Sequence, residues 1–224
     1  MHLDQIVPIG RSAADYRAMF ALEGRDRSRR LLGCGDGPAA FNADWTGEGG
    51  QVVSLDPIYV WPAAVIQKRI ADSFPDIVQR MHAEPGRFAL QPGDTIDALA
   101  SRRWQAMQRF LADYPTGRRA GRYLAGGLPR LPFADDTFDL ALCSHLLFLY
   151  ETQLSRAFHL QALEDLLRVA AEVRVFPLVN LDAHRSAHLA PVRAALAEAG
   201  VRNEIVTVDY EVQRGARHML RITR

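Results

Sequence analysis

The sequence predicts an α/β three-layer sandwich, a mostly parallel sheet of seven strands between two helical layers. Three observations carry this. Strand-like apolar runs alternate with amphipathic helical stretches along most of the chain, the pattern of strand–helix–strand crossovers. The run Leu31-Leu32 ends in the alternating glycines Gly33, Gly35 and Gly37, as a strand does where it stops in a tight turn. The last two strand-like runs, 204–210 and 218–223, have little helix between them, which predicts an antiparallel closing hairpin.

Length and composition bound the answer. The 224 residues suffice for one well-buried α/β domain and are short for two. A 48% hydrophobic and 24% charged composition is that of an ordinary globular chain. The formal net charge of +1 gives no global attraction to nucleic acid or to a membrane surface. All 27 basic residues except Lys68 are arginines. The clusters Arg27, Arg29, Arg30 and Arg118, Arg119, Arg122 read as solvated faces, since charges seldom sit buried.

The elements follow in order. Residues 12–23 carry Ala13, Tyr16, Met19 and Phe20 at helical spacing, with Ser12 as N-cap and Gly24 as stop. The first strand spans 30–33. A helix over 38–45 has Pro38 at an early position and points its N-terminus at the glycine turn. The second strand spans 51–56 and ends in Asp56. Residues 62–73 form a helix, with Val65, Ile66, Arg69 and Ile70 on one face. The stretch of about 74–119 exceeds what a simple crossover needs. Within it, Asp94 caps a helix with apolar face Ile96, Leu99, Trp104, Met107, Phe110, Leu111 and Tyr114, and Pro115 and Gly117 end it. This helical insertion either lies over the binding edge of the sheet or lengthens the outer helical layer. A short strand at 122–125 and a Gly/Pro-rich loop precede the buried strand 138–144. A helix over 154–170, a strand over 172–178 and a helix over 187–199, stopped by Gly200, lead into the hairpin. No repeat, low-complexity tract or linker divides the chain, so residues 1–224 form a single domain.

Two cysteines, Cys34 and Cys143, are too few for a disulfide framework. They read as small buried thiols at the ends of two neighbouring strands. His82, His159, His184, His188 and His218 share no metal-ligand spacing, and no metal site is expected. The opening Met1-His2-Leu3-Asp4-Gln5 lacks the basic-then-apolar form of a signal peptide. The longest strongly apolar run, around Leu146–Leu149, falls far short of the ~20 residues a membrane span needs. A cytoplasmic setting follows as the expectation.

Three segments carry a family resemblance. Gly33-Cys34-Gly35-Asp36-Gly37 is similar to the glycine motif of the class I S-adenosylmethionine-dependent methyltransferases. Asp56 stands where that family has its ribose-binding acid. Leu131-Pro132-Phe133-Ala134-Asp135-Asp136-Thr137-Phe138-Asp139-Leu140-Ala141-Leu142-Cys143-Ser144-His145 resembles the block around its fourth strand. The resemblance covers nearly the whole chain from Ser12 to Thr223 and implies a Rossmann-like seven-stranded sheet with an antiparallel C-terminal hairpin. It implies S-adenosylmethionine as cofactor, with Gly33, Cys34, Gly35, Asp36 and Gly37 along its methionyl part. Asp56 would accept from the ribose hydroxyls, Pro57 and Ile58 would press on one adenine face, and Leu128 and Phe133 would edge the other. Ser144 would lie beside the glycine turn. His145 and Tyr150 are the candidate catalytic residues, placed to orient or deprotonate an acceptor. Trp45, Trp61 and Trp104 read first as packing aromatics, and Trp61 is the one placed to stack on an acceptor.

The chain also departs from the family pattern. Leu31 replaces the acid that helps hold the cofactor's amino group. Gly126-Gly127 stands where an adenine-binding acid is frequent, and Val169-Ala170-Ala171 replaces a Pro-Gly-Gly turn. Asp36 is positioned to take over from the missing acid. The leading reading is methyl transfer to an unidentified small-molecule acceptor. An alternative is a catalytically inactive S-adenosylmethionine-binding module acting through a protein partner. A nicotinamide-dependent oxidoreductase is a third, weakened because Gly37 follows Gly35 by two residues where that fingerprint needs three. Nucleic acid and membrane are not expected partners, and the oligomeric state is left open.

Overall fold

The computed structural model describes residues 9–224. The opening residues read for a signal peptide lie outside them. Seven strands form one sheet: β1 (Arg30–Cys34), β2 (Gln51–Leu55), β3 (Tyr123–Leu124), β4 (Phe138–Ser144), β5 (Ala170–Phe176), β6 (Arg202–Thr207) and β7 (His218–Thr223). Their order is β3-β2-β1-β4-β5-β7-β6. Neighbours are parallel from β3 to β5, and β7 runs antiparallel to both β5 and β6. This is the predicted sheet with its closing hairpin.

Alternation along the central strands divides the core. Leu32, Cys34, Ala141 and Cys143 face the layer of α5 (Arg156–Val169) and α6 (Leu189–Glu198), against Leu163, Leu166 and Val192. Leu31, Leu140 and Leu142 face the layer of α1 (Ala13–Phe20) and α2 (Phe41–Gly47), against Tyr16, Phe20 and Phe41. A one-residue slip of β1 would exchange the two sets. Cys34 and Cys143 are register partners on β1 and β4, both buried and both free thiols. Burial raises both pKa values, that of Cys143 to about 12, so neither is a ready thiolate.

Several boundaries differ from expectation. Ser12 caps α1 through a capping box with Asp15. The helix ends at Phe20, where Ala21 turns left-handed at φ 47°, and Gly24 instead opens a 3-10 turn. The helix after the glycine turn starts at Phe41 rather than Pro38, and the Ala40 N–H ahead of it donates to the Arg11 carbonyl at 2.9 Å. The expected stops at Ser73 and Pro115 do not occur. α3 runs Ala63–Ala83 through Pro75, and α4 runs Ile96–Arg119 through Pro115. In α3 the buried residues Ile66, Ile70, Ile77 and Met81 keep helical spacing across the proline. Their burial outweighs the one backbone bond Pro75 cannot donate. Thr95, not Asp94, caps α4, while Asp94 pairs with Arg102. β5 starts at Ala170, directly after α5 ends, leaving no room for a Pro-Gly-Gly turn.

No helix among the described residues is long and apolar enough to cross a membrane. Most of the arginines expected on solvated faces are also paired: Arg27 with Glu48, Arg29 with Asp26 and Glu172, Arg30 with Asp139, and Arg122 with Asp113.

Candidate functional site

β1 and β4 are adjacent, yet the chain leaves them toward opposite edges of the sheet. Crevices form at such a switch point, outside the carboxyl ends of the strands. A cavity of about 770 Å³ opens there, within the usual range for small-molecule sites.

The glycine turn forms one wall. Gly35 and Gly37 have φ of 72° and 54°, backbone that side chains disfavour. A Cβ on Gly37 would meet nothing within 4 Å, so the turn is bare on that side. The Gly33 position serves another purpose. A Cβ there would lie 2.0 Å from Asp36 Oδ2, so Gly33 makes room for the Asp36 carboxylate. Asp36 accepts from Tyr16 Oη at 2.7 Å and from Ser54 Oγ at 2.6 Å. Burial outweighs those two bonds and the nearby Asp56 adds to it, so its pKa rises to about 6.

Asp56 follows β2 and lines the same wall. Its Oδ2 accepts from Gly37 N–H at 2.8 Å and its Oδ1 from Ile58 N–H at 2.9 Å. The acid thereby ties the end of β2 to the glycine turn and caps the 3-10 turn Pro57–Val60. Each oxygen keeps a further lone pair for a ligand hydroxyl. Burial again prevails over the backbone bonds and brings the pKa to about 6.

Among the other residues expected at the site, Pro57, Ile58, Leu128, His145 and Tyr150 line the cavity with Gly35, Asp36, Gly37 and Asp56. Gly126 and Gly127 also line it, in place of the family's acid. Gly33, Cys34, Phe133 and Ser144 are not among its lining residues. Phe133 meets Phe138 edge-on at 4.9 Å, and Ser144 is buried with its Oγ 3.0 Å from His145 Nδ1. Trp61 is not a lining residue either; its ring lies under the Arg69 guanidinium.

His145 directly follows β4 in a left-handed conformation, φ 51°, with its N–H bonded to the Phe176 carbonyl. Burial, then the positive fields of Arg11 and Arg103, hold its pKa well below that of free imidazole. The ring is therefore neutral at pH 7, with a nitrogen able to accept a hydrogen bond. No group of described residues has the make-up of a metal site.

The far wall comes largely from the 74–119 stretch, which reaches the cavity as the first of its two alternatives had it, joined by segments the sequence reading did not place there. α3 contributes Ile77 and Met81, α4 contributes Leu99 and Arg103, and the segment before β7 contributes Tyr210 and Val212. Arg11 joins them from the start of the described chain. Tyr59, outside the cavity, supports the near wall by donating to the Gly37 carbonyl at 2.7 Å. Among these the sequence signalled only Leu99, by its place on the apolar face of α4.

No family model matches the chain. It is 29% identical over 225 residues to the uncharacterized protein MJ0045 of Methanocaldococcus jannaschii, covering 100% of this chain and 99% of that one. Among solved structures it is similar to the N-methyltransferase NodS of Bradyrhizobium japonicum, at 15% identity, 94% of each chain and TM-score 0.47. It is also similar to the magnesium protoporphyrin IX methyltransferase ChlM of Synechocystis with bound SAM, at 13% identity, 95% of this chain, 77% of that one and TM-score 0.46. A SAM-dependent methyltransferase of Aquifex aeolicus matches at 16% identity, 89% and 82% coverage and TM-score 0.40. The strand order and the reversed β7 give this chain the class I methyltransferase fold that the sequence resemblance implied.

Proposed function

We propose that this chain is an S-adenosylmethionine-dependent methyltransferase acting on a small-molecule acceptor. One observation carries the reading: a single cavity reaches from the bare glycine turn and the Asp56 carboxylate to His145 and Tyr150. The cofactor, when bound, supplies a methyl group activated on a sulfonium. The residues present suit such a molecule. Asp56 offers lone pairs to a ribose diol, Pro57 and Ile58 offer an apolar edge to adenine, and Gly126, Gly127 and Leu128 line the cavity beside them, with the Gly126 N–H on the Asp56 carbonyl at 3.4 Å. Gly35 and Gly37 leave main chain open to the methionyl part. His145, held by Ser144, is the group we assign to accept a hydrogen bond from the acceptor and orient it. Where alignment and desolvation drive the displacement, that help is modest. We read the stretch 74–119 as a wall of the acceptor side within a single domain, and the protein as cytoplasmic.

A second reading, an inactive binding module, is favoured by one observation. Leu31 is buried in the core where the family has an acid, and Asp36 is already bonded to Tyr16 and Ser54. Calorimetric titration with S-adenosylmethionine, S-adenosylhomocysteine and NAD tests both. The proposal expects micromolar binding of the first two and no heat from NAD. Turnover on a panel of small acceptors separates the enzyme from the module, and failure to bind either sulfur nucleoside overturns both.

A further inference from the structure

Arg11 lines the cavity beside Arg103, Tyr210 and His145. Its backbone carbonyl holds the Ala40 N–H at 2.9 Å, which fixes the residue next to the loop following the glycine turn. Its guanidinium makes one bond, from Nη1 to the Ile9 carbonyl at 3.3 Å. Its Nε is buried and has no acceptor.

Arg103 differs sharply. It donates to Asp15 Oδ2 at 2.8 Å and to Tyr210 Oη at 2.9 Å. Asp15 is in turn locked by Ser12, so Arg103 and Asp15 neutralise each other. Arg11 has no carboxylate within ion-pair distance among the described residues. A guanidinium stays charged in a protein, and a half-buried charge without a counter-ion is costly. Tyr210 accepts from Arg103, which leaves its own hydroxyl hydrogen to donate. Leu99 and Val212 add apolar surface to the same lining. One uncompensated guanidinium shielded from solvent, one hydroxyl donor and apolar neighbours match a monoanion better than a phosphate dianion; Arg80, the other lining arginine outside any ion pair among the described residues, is exposed.

We infer that this end of the cavity is a carboxylate site, in which the Arg11 guanidinium and the Tyr210 hydroxyl hold the carboxylate of a small organic molecule. The inference rests on the proposed function for the rest of the cavity. Two sources share this chemistry: the amino-acid part of the cofactor, and an acidic acceptor.

The test titrates the wild-type chain, Arg11→Gln, Arg11→Lys and Tyr210→Phe with three probes. S-adenosylhomocysteine carries the carboxylate, 5′-methylthioadenosine is the same nucleoside without it, and benzoate is a free apolar acid, followed by NMR on the nucleoside-loaded protein. If the cofactor supplies the carboxylate, Arg11→Gln weakens S-adenosylhomocysteine about 30-fold and 5′-methylthioadenosine less than twofold. If the acceptor supplies it, both nucleosides bind unchanged, and benzoate binding to the wild type is lost in Arg11→Gln. In either case Arg11→Lys recovers part of the loss and Tyr210→Phe costs about three- to tenfold. Retained 5′-methylthioadenosine binding reports that Arg11→Gln is folded. Should Arg11→Gln not fold, Arg11→Lys and Tyr210→Phe must still discriminate the acids from 5′-methylthioadenosine. Equal affinities of wild type and variants for both acids overturn the carboxylate site. A wild type that binds neither nucleoside defeats the proposed function instead, and benzoate alone then decides the site.

Discussion

The two ends of the cavity are built by different means. At the glycine turn, short-range chain geometry does the work: two positive-φ glycines and one acid at the next strand end, joined by a 2.8 Å bond from Gly37 to Asp56. At the far end, Arg11, Arg103, Tyr210 and His145 come from four distant segments and meet only because α1, α4 and the hairpin close over one another. The acids differ as well. Asp36 and Asp56 are buried without a cation and are pushed up to about 6. Burial also pushes Asp15 upward, but Arg103 and the Ser12 bonds outweigh it and its pKa falls. The near end therefore holds costly carboxylates facing a cavity, while the far end holds one neutralised pair and, in Arg11, one shielded cation left over. Each imbalance points to where a ligand group of complementary character belongs.

The largest expected effect is at the far end. Arg103→Leu removes the partner of both Asp15 and Tyr210 in a site only 4% exposed. It should cost about 3–5 kcal/mol of unfolding free energy in urea denaturation, because it leaves Asp15 unpaired. A loss below 1 kcal/mol would break the contrast drawn here.

Next comes Asp56→Ala. It should weaken S-adenosylhomocysteine about 100-fold in calorimetry and cost about 1–3 kcal/mol of stability, since Gly37 and Ile58 lose their acceptor.

A pH series probes the uncompensated acids. Their folded pKa values lie above the unfolded ones, so the folded state binds more protons between about pH 4 and pH 6. Their contribution to stability therefore falls as pH rises through that window and is level above it. Asp36→Asn should raise stability at pH 7.5 by about 2 kcal/mol and leave it unchanged at pH 3.5, read by thermal denaturation at each pH. His145 acts in the opposite sense. Its depressed pKa makes its contribution complete above about pH 6.5 and lost as pH falls below that.

The smallest effect concerns α3, which lines the far wall. Pro75→Ala restores a helix donor within α3 and should stabilise by about 1 kcal/mol without altering nucleoside affinity.

What the sequence made legible follows the same division. The strands, the hairpin and the near wall were readable because glycine turns, strand ends and an acid at a strand end are local signals. Asp56, Pro57, Ile58 and Leu128, which the family resemblance singled out, all line the cavity. The function of Gly33 was not legible, because the group it makes room for is the side chain of Asp36, folded back against it. The helix stops at Ser73 and Pro115 were misplaced because a proline is a local signal, whereas the apolar face that carries α3 past it is a tertiary one. Arg11 and Arg103 looked like any of the other arginines. Only packing shows that one has its acid and the other does not.

The central claim is that Asp56 reads a ribose diol at the glycine turn. Titration of the wild type and Asp56→Asn with 5′-methylthioadenosine and its 2′-deoxy analogue tests it most directly. The wild type is expected to prefer the ribose form by at least about tenfold, and Asp56→Asn to lose most of that preference. Equal affinity of the wild type for the two nucleosides would contradict it.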